Sequence, residues 1–90
     1  MDVIARFGGE EFLIVLPDTP LEEAIQTVTR LQRELTKQIF MHNHTRLLMT
    51  FSAGIALRKE LEDQAAMIKR ADIALYEAKK AGKNRVIAAK

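Results

Sequence analysis

The sequence predicts an α+β domain in which two amphipathic helices pack over a largely antiparallel sheet. Three observations carry this expectation. Two apolar runs flank a Gly-Gly pair near the start, reading as a hairpin. Apolar residues then recur every three or four positions in two separate stretches, and between them the period falls to two. The resulting order is strand, strand, helix, strand, helix, strand, with no internal repeat, linker or low-complexity segment.

Each element has its own reason. Val3 to Arg6 and Glu11 to Leu16 are expected to pair through Phe7-Gly8-Gly9-Glu10, because glycine takes positive φ without steric cost. The run Phe12-Leu13-Ile14-Val15-Leu16 is unbroken, which suits a strand buried on both faces, and Pro17 ends it. Thr19-Pro20-Leu21-Glu22 reads as a capping box with proline at the first helical position. Leu21, Ala24, Ile25, Val28, Leu31, Leu35 and Ile39 then form one stripe on a helix reaching about Phe40. His42-Asn43-His44 reads as a polar connection, and two histidines without a third ligand nearby make a poor metal site.

From Leu47 to Leu57 alternate residues face opposite ways, and the set Thr50, Ser52, Gly54 and Ala56 is unusually small. Something must approach that face closely, and a helix is preferred over a ligand. The second helix spans roughly Asp63 to Ala81, with Ile68, Ala71, Leu75 and Ala78 on one face and Gly82 beyond its last turn. Asn84 to Ala89 forms a short final strand.

Ninety residues, about half of them apolar, allow one small domain. A net charge of +2 is too mild to argue for nucleic acid or a membrane surface as partner. The basic excess is nonetheless uneven: Lys79, Lys80, Lys83, Arg85 and Lys90 follow one another with no acid between them. Absence of cysteine excludes disulfides and thiolate metal sites. No apolar stretch approaches the roughly 18 residues that span a bilayer, and no signal-peptide pattern opens the chain, so the expected location is cytoplasmic.

The chemistry concentrates in Arg6-Phe7-Gly8-Gly9-Glu10-Glu11-Phe12. Two carboxylates at the tip of a hairpin suit a hard cation such as Mg²⁺. An ordinary solvated turn is the competing reading of the four letters alone. Asp72, following Lys69 and Arg70, reads as a structural ion pair or hydrogen bond, and Tyr76 as packing with a satisfied hydroxyl. Asn84 and Arg85 either fix the turn into the last strand or lie beside a phosphate.

At this point the chain resembles the C-terminal part of the GGDEF domain, the diguanylate cyclase domain of bacterial signalling proteins. The resemblance rests on the Gly8-Gly9-Glu10-Glu11-Phe12 block and on Thr50-Phe51-Ser52-Ala53-Gly54-Ile55-Ala56. It continues in Ala71-Asp72-Ile73-Ala74-Leu75-Tyr76-Glu77-Ala78-Lys79 and in Gly82-Lys83-Asn84-Arg85, in family order. It implies a truncated nucleotidyl-cyclase, ferredoxin-like (palm-like) sandwich: a β-hairpin followed by αβαβ, with residues 1–90 forming the C-terminal portion of a single domain. The implied reaction condenses two GTP into cyclic di-GMP with release of two pyrophosphates, at the interface of two facing domains. By the same resemblance Glu10 ligates Mg²⁺ (or Mn²⁺) and helps activate the hydroxyl, and Glu11 supports the metal and substrate site. Gly8 and Gly9 let the backbone approach the nucleotide. Lys79 and Lys83 contact terminal phosphates, lysine at 83 replacing the commoner arginine and losing its bidentate fork.

The family's first strand, with its Asp-x-Asp-x-Phe segment, and the two helices leading to the hairpin have no counterpart here, since a full domain has roughly 160 residues. In the family that portion carries the second carboxylate for the metals and the groups that read guanine, so the chain alone is expected to be inactive or weak. Asp2 matches the aspartate of the family's inhibitory Arg-x-x-Asp, a remnant whose arginine would precede Met1. With no first strand beside Phe12–Leu16, the chain is expected to form a homodimer or strand-exchanged oligomer. A sensor or receiver domain is expected upstream in the parent protein, which such a domain can anchor to a membrane. The alternatives are a non-catalytic module that binds GTP or cyclic di-GMP or mediates dimerisation, and a structural fragment without an autonomous role.

Overall fold

Val3–Gly8 forms β1, and Phe12–Leu16 returns antiparallel to it as β2, with Val3 opposite Leu16 and Phe7 opposite Phe12. The structure, a computed structural model, describes residues 2–8, 12–43 and 51–90, and the side chains of these except Phe12 and residues 39–43. Leu21–Asn43 is α1, Ser52–Leu57 is β3, Gln64–Lys80 is α2 and Val86–Ala88 is β4. The sheet order is β2-β1-β3-β4, with β1 antiparallel to both neighbours and β3 parallel to β4. Two helices thus sandwich a mainly antiparallel sheet, in the predicted order of elements.

The alternation of side chains along the strands sends two sets of residues to two helices. Val3, Ala5, Phe7, Phe51, Ala53 and Ile55 pack with Ala24 and Val28 of α1, and Leu21, Ile25, Leu31 and Leu35 close the layer. Ile4 and Ala56 point the other way, against Met67 and Ala71 of α2. The small-residue face of β3 is therefore covered by a helix, as its composition predicts. A Cβ added at Gly54 would strike the backbone of α2, meeting Ala71 O, Leu75 N and Ala74 C. Helix and strand touch main chain to main chain there.

The ends of α2 follow their sequence signals. The Asp63 carboxylate caps the helix by accepting from the Ala66 N–H at 2.8 Å. At the other end Gly82, with φ +123°, is followed by Lys83 N–H donating to Ala78 O at 3.1 Å, while Gly82 N–H donates to Lys79 O at 3.4 Å. This is the Schellman closure that spends glycine one position past the cap.

Five local expectations are corrected. β1 runs through Phe7 and Gly8, which the sequence had assigned to the hairpin connection; Gly9, Glu10 and Glu11 lie outside the described residues. β2 is an edge strand, not one buried on both faces: Leu13 and Ile14 are half-buried and Val15 is 46% exposed. An apolar run reports what a strand can bury, and among the described residues the sheet gives β2 one neighbour, β1. Thr19 makes no capping box, because its hydroxyl donates back to Pro17 O at 3.0 Å and the Pro20 carbonyl receives the first helical bond from Ala24. α1 continues through His42 and Asn43, which the polar-connection reading had placed outside it; His44 lies outside the described residues. The third strand begins at Ser52, and the part of its expected span from Leu47 to Thr50 also lies outside them.

Candidate functional site

β1 delivers Gly8 to one end of the sheet, opposite Ser52 of β3. Gly9, Glu10 and Glu11 follow immediately and lie outside the described residues, so the site is built from its base. A Cβ at Gly8 would lie 2.5 Å from Lys79 Cε and 2.8 Å from its Nζ. The Lys79 side chain therefore crosses directly over the Gly8 backbone. Any side chain at position 8 would displace it, so glycine here admits a cation to the foot of the loop that bears the two carboxylates.

Lys83 reaches the same end of the sheet by another route. Ser52, the register partner of Gly8, is buried, and its Oγ accepts from the Asn84 N–H at 3.0 Å. The turn Gly82–Arg85 is thereby fastened beside the strand end that carries Gly8. Within it Lys83 and Asn84 both take left-handed backbone, with φ 63° and 53°. Asn84 accepts through Oδ1 from Gln32 Nε2, and from Thr36 Oγ1 at 3.2 Å. Of the two sequence readings for Asn84 and Arg85, the turn-fixing one describes their contacts. The Arg85 carbonyl receives Ala53 N–H at 3.0 Å, and its guanidinium folds back over Gly82.

Asp72 pairs with Arg6, Oδ1 to Nε at 3.3 Å, tying α2 to the strand that leads into the loop. The structural ion pair expected for Asp72 is present, with a partner from the motif rather than from its own helix. The packing role expected for Tyr76 is not seen: the side chain is 63% exposed.

Asp2 stands apart. Its carbonyl accepts from Arg58 N–H at 2.9 Å and its carboxylate lies 3.9 Å from the Arg58 guanidinium. The whole of β1 separates it from Gly8, about 20 Å at strand rise. The structure thus gathers Gly8, Lys79 and the Lys83 turn at one end and leaves Asp2 at the other. A cleft of about 550 Å³ between α2 and β4, lined by Ile73, Ala74 and Ile87 among others, contains none of the predicted site residues.

Sequence reading missed the roles of Gln32, Thr36 and Ser52. One signal was available: Gln32 stands four residues after Val28, where the apolar stripe of α1 should continue, and it is buried.

The family model described as diguanylate cyclase, GGDEF domain, matches residues 1–85. The chain belongs to the GGDEF family. It is 45% identical over 85 residues to diguanylate cyclase DgcP of Pseudomonas aeruginosa, covering 94% of this chain and 13% of that protein. It is 40% identical over 85 residues to the probable diguanylate cyclase DgcC of Escherichia coli K12, covering 93% and 23%. To the response regulator PleD of Caulobacter vibrioides it is 37% identical over 90 residues, covering 97% and 20%. This GGDEF chain spans less than a quarter of the length of each of these relatives. Its fold superposes on the crystal structure of the GGDEF domain of DgcB from Caulobacter crescentus in complex with c-di-GMP, with TM-score 0.78, 22% identity, and coverage of 99% of this chain and 74% of that one. A second structure, of the coiled coil and GGDEF domain of the same protein, again with c-di-GMP, gives TM-score 0.75 at 32% identity, covering 97% and 48%. No helix among the described residues is long and apolar enough to cross a membrane.

Proposed function

We propose that the chain supplies the metal and phosphate contacts of a diguanylate cyclase site, in a protein that joins two GTP into cyclic di-GMP and two pyrophosphates. The observation that carries this reading is the Lys79 ammonium lying over Gly8, at the foot of the loop bearing Glu10 and Glu11. Phosphoryl transfer needs charge neutralisation and alignment more than covalent help. Lys79 meets the terminal phosphates and offsets the charge that gathers on the pyrophosphate leaving group. Lys83 holds the same phosphates from the neighbouring turn. Gly8, lacking a side chain, leaves room for Lys79 to lie over the strand end from which it meets those phosphates.

Glu10 and Glu11 offer hard carboxylate oxygens, the donor type that Mg²⁺ or Mn²⁺ takes together with phosphate oxygens and water. The bound ion supplies Lewis-acid polarisation of the reacting phosphate. Glu10 stands as metal ligand and aids loss of the 3′-hydroxyl proton, and Glu11 supports it. Two such domains face each other, so that each 3′-hydroxyl attacks the other's α-phosphate.

The test is a chromatographic assay of the chain with GTP and Mg²⁺, beside titrations of GTP·Mg²⁺ into wild type, Glu10→Ala and Lys79→Met. The expected result is little or no cyclic di-GMP, with measurable GTP·Mg²⁺ binding that both substitutions weaken about tenfold. Equal binding by wild type and both variants would overturn the reading. Sustained turnover by the wild type alone would show that the 90 residues suffice for catalysis.

A further inference from the structure

We infer that Gln32, on α1, is a positioning residue for Lys83: it fixes the turn that presents this cation, without touching substrate. The inference rests on the reading of Lys83 as a phosphate contact. Lysine gains nothing from left-handed backbone, and a residue held there persists only where its surroundings over-determine it. The preceding flank of Lys83 is fixed by the helix closure, through Lys83 N–H to Ala78 O at 3.1 Å. The following flank is Asn84, also left-handed, and the bonds on Asn84 are what hold it.

Those bonds come from two elements. Asn84 N–H donates to Ser52 Oγ at 3.0 Å on β3, and Asn84 Oδ1 accepts from Gln32 Nε2 and from Thr36 Oγ1 on α1. The Thr36 hydroxyl has one proton and also lies 2.9 Å from Gln32 O, so it is shared between two acceptors. Gln32 is then the donor whose alignment on Asn84 does not depend on that choice. It is only 4% exposed, on a helix face otherwise filled by Val28, Leu31 and Leu35. Packing alone would be better served there by an aliphatic side chain, because a buried amide costs stability unless its bonds are made. Gln32 donates to Thr36 Oγ1 at 3.5 Å within its helix and, across 52 residues of sequence, to the residue next to Lys83.

The experiment titrates pyrophosphate with Mg²⁺ into the 90-residue chain, following backbone amide shifts of Lys79 and Lys83. Gln32→Met keeps the volume and removes the donor. Asn84→Gly removes the acceptor while tolerating φ 53°, so it guards against a variant that merely misfolds. Each is expected to weaken pyrophosphate binding about fivefold and to move the Lys83 amide more than that of Lys79. Gln32→Met combined with Lys83→Met should bind no more weakly than Lys83→Met alone. If both anchor variants bind like wild type while Lys83→Met loses affinity, the network is structural only and the inference falls. If Lys83→Met itself binds like wild type, the phosphate reading fails and takes this inference with it.

Discussion

The consequence of a missing side chain depends on what occupies its place. At Gly54 the neighbours are main-chain atoms of α2, which cannot move without shifting the helix. Gly54→Ala should therefore cost about 3 kcal/mol, read as a lowered urea midpoint. At Gly8 the neighbour is the far end of the Lys79 side chain, which can swing aside. Gly8→Ala should change stability by less than about 1 kcal/mol, yet weaken GTP·Mg²⁺ binding as much as Lys79→Met does. Leu61 makes the opposite case: it is fully exposed and left-handed, with φ 62°, at the third position of the Lys59–Glu62 turn. Leu61→Gly should stabilise by about 0.5 kcal/mol, the relief of strain outweighing the added freedom of the unfolded chain. A lower urea midpoint for this variant would contradict that.

Among the elements, α2 contributes Lys79 and packs on β1 and β3, and its limits are set by single residues. Asp63→Ala removes the cap on Ala66 N–H and should cost about 1 kcal/mol, lowering Tm by about 5 °C. Just before it, the Glu62 side chain is 8% exposed and accepts from Arg70 at 2.9 Å, while Arg70 also reaches Leu57 O. Glu62→Ala would leave that half-buried guanidinium with two carbonyls, Leu57 O and Lys90 O, and no carboxylate, at a cost of about 2 kcal/mol in calorimetry. The span of α2 was legible because Asp63 and Gly82 are local signals that act within one turn of the residues they terminate. The small face of β3 was legible for a similar reason, since Ser52, Gly54 and Ala56 record the thickness of whatever covers them. The edge of β2 was legible only from the family resemblance, which supplies no strand beside Phe12–Leu16; its apolar run alone pointed to burial on both faces. The bond from Gln32 to Asn84 was not legible: no periodicity reports a contact between a helix and a turn so distant in sequence. The Gly-Gly-Glu-Glu block announced the candidate site, but the cation resting on Gly8 is a product of how α2 lies over β1.

For the molecule as a whole, that edge has a further result. β2 leaves its outer backbone groups unpaired among the described residues, with Val15 exposed beside them. Such an edge templates another strand. Sedimentation should find concentration-dependent association that Val15→Lys suppresses, whereas a monomer at every concentration would refute it. The two glycines also belong to one assembly. Gly54 sets how close α2 lies to the sheet, and α2 in turn sets how low Lys79 lies over Gly8. A methyl group at 54 would raise the helix and open room at 8. The two alanine substitutions should therefore be sub-additive in stability, and a sequence drifting through variants would meet position 54 as the gate to change at position 8. The room above Gly8 is thus metered by a carbon atom missing from the neighbouring strand, under the same helix.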